Sequence, residues 1–201
     1  MTRFLLVRHG RFDGVGAKHA GRAPGTHLNA DGREDALRLA AALRDVPITA
    51  IVSSPLERTR ETAEPVAADH ALAIEIEPSL IEVETGAWTG RTFADLSHDP
   101  LWRRFNAFRS LTTAPGGELM LAVQHRAVDA FLALRGRFEN GTVLVVSHGD
   151  VIRSFLLYAL AMPIDLYHRL EISPGRISIV DADDDSIRVL QVNGDTATLP
   201  R

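Results

Sequence analysis

Short apolar runs and longer amphipathic stretches alternate along the chain. Arg3-Phe4-Leu5-Leu6-Val7 is continuous rather than alternating, the pattern of a strand buried on both faces. Asn29 caps a predicted helix in which Ala36, Leu39, Ala40 and Leu43 share one face, and Pro47 ends it. Ile48 to Ser53 reads as a second strand, and Pro55 opens a second helix over about 55–68. The spacing of Leu72, Ile74 and Ile76 predicts a third strand. Phe93 to Phe108 reads as helix broken at Pro100. A longer helix follows the Pro115-Gly116-Gly117 loop, with Val123, Ala127, Ala130, Phe131 and Leu134 as its apolar stripe and Gly141 closing it. Thr142 to Val146 is β-branched, apolar and uninterrupted, the clearest strand in the chain. His148-Gly149-Asp150 comes next, then an apolar helix to about Met162, where Pro163 stops it. Ile177–Val180 and Ile187–Val192 form a closing hairpin across Asp181, Asp183, Asp184 and Asp185, which read as a solvated turn.

Strands separated by helices predict an α/β three-layer sandwich, a mostly parallel central sheet with helices on both faces. The 201 residues, 45% hydrophobic and 24% charged, suit a single domain over residues 1–201 with a full core. The net charge of −4 argues against a general nucleic-acid or anionic-membrane partner. The absence of cysteine removes disulfides, thiol nucleophiles and thiolate metal sites, and fits a reducing compartment. No signal-peptide core or membrane-length apolar run is present, so the expected location is the cytoplasm. A homodimer is compatible with this composition.

Two points recur in form. Val7 leads into Arg8-His9-Gly10, and Val146 leads into Ser147-His148-Gly149. Each is a buried strand giving way to His-Gly, and ligands of open α/β sheets bind at the carboxyl ends of the strands. Glycine there lets the backbone pass close to a ligand. Ser53-Ser54-Pro55-Leu56-Glu57-Arg58 also follows a strand. With Arg8, Arg58 suggests a phosphate pocket, because a guanidinium binds phosphate oxygens in pairs. Leu80 to Gly90 brings a carboxylate beside a glycine-bracketed tryptophan. Such a carboxyl group can protonate a departing alkoxide, and on spacing alone Glu82 and Glu84 compete for that role.

Together with Pro115-Gly116-Gly117-Glu118, these segments resemble the histidine phosphatase superfamily, also called the phosphoglycerate mutase-like family. The resemblance spans Arg3 to the hairpin, with five motifs in family order. It implies the phosphoglycerate mutase-like sandwich and a phosphatase acting on a small phosphoester. His9 would be the nucleophile, forming a phosphohistidine, and Glu82 the proton donor. Arg8, Arg58, His148 and Gly149 would hold the phosphate. It also implies no metal and no other cofactor, the cationic side chains taking over charge neutralisation. On this reading His9 is neutral and His148 a cation.

Departures sharpen the expectations. The family follows its first motif with Glu or Gln and later an Asn that touches phosphate, whereas Arg11 and Phe12 follow here and Val15 stands in the Asn position. Lys18, His19, Arg22 and His27 are candidates to replace that contact. Arg11 and Arg22 are expected to bind phosphate or, with Lys18, a second anionic group of the substrate. Leu119 stands where the family often has Ser. The long insertion and Tyr-Gly motif of the glycolytic mutases are missing, which favours a phosphatase. A mutase and a non-catalytic phospholigand module on the same fold are the competing readings. A metal site finds no His-x-His or His-x-x-x-His spacing to support it.

Overall fold

The computed structural model describes residues 1–196. Six strands form one sheet: β1 (Thr2–Arg8), β2 (Ala50–Ser53), β3 (Ile74–Ile76), β4 (Thr142–Ser147), β5 (Ile177–Ala182) and β6 (Ile187–Gly194). Their order is β3-β2-β4-β1-β5-β6. The β3–β2, β2–β4 and β4–β1 pairings are parallel, whereas β5 runs antiparallel to both β1 and β6. The sheet is therefore mixed, as expected of a mostly parallel sandwich closed by a hairpin.

Six α-helices cover it: α1 (Ala30–Leu43), α2 (Glu57–His70), α3 (Phe93–Ser97), α4 (Pro100–Ala107), α5 (Met120–Arg137) and α6 (Gly149–Ala159). The continuous apolar strands serve both faces. Leu5, Val7, Ile51, Leu144 and Val146 pack with Leu39, Leu43 and Val66 of α1 and α2. The alternate residues Phe4, Leu6, Val52, Val143 and Val145 pack with Val123, Phe131 and Phe155 of α5 and α6. Period-two side-chain direction thus turns each run into two half-cores.

Register is what builds the site. In the parallel β1–β4 ladder Val7 pairs with Val146 and Arg8 with Ser147. The two His-Gly segments therefore leave the sheet side by side. In the β2–β4 ladder Ser53 pairs with Val146, which brings the Ser54 loop to the same edge. After β1 the chain passes so close to α1 that neither glycine there can carry a side chain. A Cβ on Gly10 would come within 2.6 Å of the Gly32 carbonyl oxygen, and one on Gly32 would run into the Arg11 carbonyl.

Three elements differ from the sequence expectation. Asp181 belongs to β5, is 3% exposed, and takes a two-pronged hydrogen bond from Arg3, at 2.8 Å to Nε and 2.9 Å to Nη2. Only Asp183 to Ser186 make the turn, where the Asp183 carboxylate accepts from the backbone N–H groups of Asp185 and Ser186. Helix α2 begins at Glu57, with Leu56 as its N-cap in an extended conformation, so Pro55 stands in the loop before it. Helix α6 ends at Ala159 because Ala161 turns to a positive φ of 52° and the Met162 N–H returns to Leu157.

Candidate active site

A cleft of ≈ 340 Å³ opens at the carboxyl ends of β1, β2 and β4, and its floor carries Arg8, His9, Arg58, Glu82 and Gly149. His9 is 2% exposed and His148 is completely buried, with ring centroids 5.3 Å apart. His9 Nδ1 lies 2.9 Å from the Gly10 carbonyl oxygen. A carbonyl can only accept, so Nδ1 carries the proton and, in the neutral ring, Nε2 keeps its lone pair. Burial, then the charges of Arg58 and Arg8, hold this imidazole well below its ordinary pKa, which keeps it neutral and nucleophilic.

His148 is fixed from the other direction. Its Nδ1 lies 3.2 Å from Arg58 Nη2, and a guanidinium can only donate. Nδ1 is therefore the acceptor, and Nε2–H donates to Ser54 Oγ at 2.7 Å. Burial and the charges of Arg58, His9 and Arg8 push this imidazole well below its ordinary pKa too. The expected cationic His148 is thus corrected for the substrate-free site, where both imidazoles are neutral.

The structure separates Glu82 from Glu84. Glu82 lines the cleft, and its Oε2 lies 3.9 Å from His148 Nδ1. Burial first and Asp150 second raise its pKa to about 7, against the opposing pull of Arg58, the Val83 N–H and Arg8. A carboxylic acid that keeps its proton near neutrality is what proton donation requires. Glu84 caps the following turn by accepting from the Gly86 N–H at 3.0 Å, and does not line the cleft.

Of the cations named from sequence, Arg8 and Arg58 are in place. Arg8 donates to the Ile172 carbonyl at 2.6 Å and Arg58 to the Gly21 carbonyl at 2.8 Å. Arg8 Nε and Arg58 Nε and Nη1 are left without a hydrogen-bond partner at the cleft floor. Gly149 packs on Arg8, where a Cβ would meet the guanidinium carbon at 3.3 Å. Lys18, His19 and Val15 also line the cleft.

Arg11 and Arg22 are not brought to it. Arg11 forks onto Asp35, at 2.9 Å from Nε and 3.0 Å from Nη2. Arg22 donates to the Glu82 carbonyl at 2.7 Å and to Glu118 at 2.7 Å, beneath the site rather than in it. Each is satisfied by a nearer carboxylate, which sequence spacing does not reveal. His27 is likewise held by Glu61, outside the cleft.

Several cleft residues escaped the sequence reading, and three of them are charged: Arg109, Asp150 and Arg153. Asp150 directly follows His148-Gly149 and was within reach of that motif. Arg153 lies one helical turn beyond Asp150. Arg109, just after α4, carries no pattern that separates it from a surface arginine. Among the described residues, no group of three or more His, Asp or Glu side chains converges as metal ligands, and no helix is long and apolar enough to cross a membrane.

The chain is similar to known proteins over nearly its whole length. The chain is 36% identical over 201 residues to the bifunctional protein Rv2228c of Mycobacterium tuberculosis; the match covers 96% of the chain but 54% of that protein, so the chain spans about half the length of this relative. It is 31% identical over 186 residues to the probable phosphoglycerate mutase GpmB of Erwinia tasmaniensis, covering 90% of this chain and 85% of that one. The crystal structure of a putative alpha-ribazole-5'-P phosphatase from Escherichia coli superposes with a TM-score of 0.85 at 27% identity, over 96% of both chains. The family model of the histidine phosphatase superfamily (branch 1) matches residues 4–195, and this chain belongs to that superfamily, whose members are phosphatases or phosphomutases.

Proposed function

We propose that the protein is a phosphatase that hydrolyses a small phosphomonoester through a phosphohistidine on His9, without a metal ion. The observation that carries this reading is the fixed tautomer of His9, whose Nδ1–H is held by Gly10 and whose Nε2 lone pair is free for attack.

In the first half-reaction His9 Nε2 attacks phosphorus and the ester P–O bond breaks. The departing alkoxide takes the proton of Glu82. In the second, water attacks phosphorus and gives its proton to the Glu82 carboxylate. The N–P bond breaks, its electron pair returns to His9, and phosphate leaves. The unpartnered N–H groups of Arg8 and Arg58 supply donors and charge for the phosphoryl oxygens. A bound dianion also favours a proton on His148, which is neutral before substrate arrives.

Water rather than a second substrate hydroxyl is the acceptor on this reading. The stretch between Trp88 and Pro115 contributes only the short helices α3 and α4, of five and eight residues, without the long closing insertion of the mutases.

Steady turnover of p-nitrophenyl phosphate in EDTA, abolished by His9→Ala, is the expected result. Wild type and variant equally inert on a broad phosphoester panel would overturn it in favour of a binding module. Isomerisation of phosphoglycerates that depends on a bisphosphate primer would replace hydrolysis by mutase chemistry.

A further inference from the structure

Past the end of β1 the chain leaves the sheet, and its backbone groups must find partners elsewhere. The β1–β4 ladder ends at the Arg8–Ser147 pair, and the His9 N–H still reaches the Ser147 carbonyl at 3.0 Å. The next donor, the buried Gly10 N–H, lies beyond the ladder. It donates to Thr62 Oγ1 on α2, at 2.9 Å. Thr62 is completely buried, and its hydroxyl lies 2.6 Å from the Arg58 carbonyl one helical turn earlier. A carbonyl only accepts, so the single hydroxyl proton goes to Arg58 and an oxygen lone pair is left for Gly10. One hydroxyl thus joins the backbone of the nucleophile's motif to the backbone of the phosphate-holding arginine.

Gly10 is the residue that sets the His9 ring, because its carbonyl accepts from Nδ1 at 2.9 Å. The direction of that carbonyl depends on how Gly10 itself is held. Helix α1 confines it by contact, since Gly32 leaves no room for a Cβ there. On the following peptide the Arg11 N–H reaches Asp35 only at 3.4 Å, a long bond. The Thr62 bond is the tighter tie. Glycine has more backbone freedom than any other residue, so a Gly10 without that tie could turn its carbonyl away from Nδ1. A threonine hydroxyl bonded to the carbonyl four residues back ordinarily adds little to its helix. Here the same hydroxyl also accepts a donor that burial would otherwise leave unpaired.

We propose that Thr62 is a positioning residue whose hydroxyl, acting through Gly10, aims the His9 imidazole at phosphorus. The inference rests on the phosphatase reading and adds to that site a residue that does not line the cleft. Arg8 and Arg58 are held at Ile172 and Gly21 by side-chain bonds that do not involve Thr62. Phosphate binding therefore does not depend on the hydroxyl. Attack does, because a nucleophile whose direction wanders reaches the in-line geometry less often. The effect falls on the rate of phosphoryl transfer and not on affinity for the phosphate.

The test compares Thr62→Val, which keeps the shape and removes the hydroxyl, with Thr62→Ser, which keeps the hydroxyl. The single-turnover rate of p-nitrophenolate release from p-nitrophenyl phosphate reads the attack of His9 directly. It should fall about 10-fold or more in Thr62→Val, while the inhibition constant of inorganic phosphate changes by less than about 3-fold. Thr62→Ser should recover most of the loss. ¹⁵N spectra should show His9 as one Nδ1-protonated tautomer in the wild type and as a mixture in Thr62→Val. On the wild type alone, where no variant has to fold, the Gly10 amide should exchange with solvent as slowly as the amides of β1. A fast-exchanging Gly10 amide overturns the inference. So does a Thr62→Val protein with the wild-type rate or an unchanged His9 tautomer. Equal losses in Val and Ser also overturn it, as does a phosphate inhibition constant that rises in step with the lost rate, which would make Thr62 a prop for the phosphate pocket. All of these outcomes leave hydrolysis by the wild type, and with it the phosphatase reading, in place. A wild type inert on p-nitrophenyl phosphate and other phosphoesters overturns both.

Discussion

Arg58 donates from Nη2 to Nδ1 of His148 across 3.2 Å, and this one bond decides the state of a buried imidazole. Because the arginine has no acceptor to offer, His148 must present a lone pair there and place its proton on Nε2. The free protein should therefore show ¹⁵N shifts of a neutral, Nε2-protonated His148 at pH 6.5. A protonated ring at that pH would contradict the assignment. Ser54→Ala removes the acceptor of that proton at a site with no solvent, and should cost about 1–3 kcal/mol in chemical denaturation.

On the proposed mechanism Glu82 matters in proportion to how badly the leaving group needs a proton. Glu82→Gln should slow turnover of alkyl phosphates about 10²–10⁴-fold and that of p-nitrophenyl phosphate far less. Equal losses on the two classes would assign Glu82 a different task.

The pH profile follows from the two key groups. On the proposed mechanism attack needs neutral His9, whose pKa is held well below its ordinary value, and donation needs protonated Glu82, whose pKa is raised to about 7. For alkyl esters kcat/KM should therefore fall above about pH 7, with its acid limb well below 6.5. Asp150→Asn removes one of the charges that raise Glu82, so it should move the basic limb to lower pH. A limb that stays in place would rule Asp150 out as a contributor.

Stability should follow the buried imidazoles. His9 and His148 have depressed pKa values in the folded state, so below about pH 6.5 the unfolded chain binds protons that the folded one does not. Their contribution is complete above that pH and is lost as pH falls toward the folded values, at up to about 1.4 kcal/mol per pH unit for each ring. Glu82 acts oppositely: its raised pKa makes stability decline from about pH 4.5 to about 7. With two rings against one carboxyl, urea midpoints should drop from pH 6.5 to 5.5, and drop less steeply in His9→Ala. Midpoints that do not fall over this interval would argue against neutral buried rings.

Glu118 should act on catalysis through Glu82. It accepts from Arg22 and Arg126, and both of those arginines also donate to the Glu82 carbonyl, at 2.7 and 3.3 Å. Glu118→Gln weakens the clamp that aims the proton donor. We expect kcat for alkyl esters to fall about 10-fold with KM little changed, and p-nitrophenyl phosphate to be nearly unaffected. Parallel losses on both substrates would reduce Glu118 to a purely structural part.

Much of the site was legible because its chemistry sits at strand ends. The buried runs before Arg8-His9-Gly10 and Ser147-His148-Gly149 predicted two strands, and residues of both motifs line the cleft. Side-chain direction was not legible. Glu82 and Glu84 are two residues apart, and only the fold shows that one meets His148 while the other caps a turn. Arg11 and Arg22 looked like pocket cations until Asp35 and Glu118 proved nearer. Asp181 looked like part of a solvated acidic turn, yet the strand pairing β1–β5 puts it opposite Arg3.

By itself the amino-acid sequence determined the layered α/β order, the histidine pair, the guanidinium of Arg58 and the carboxyl candidates. Local periodicity and motif order carry that information over neighbouring residues. Tertiary structure alone decided which imidazole nitrogen holds a proton, how far burial lifts Glu82, and that Arg109 and Arg153 meet over Asp150. Those properties depend on low-dielectric surroundings and on partners from distant elements, here the end of α4 and the start of α6, and no spacing along the chain encodes them.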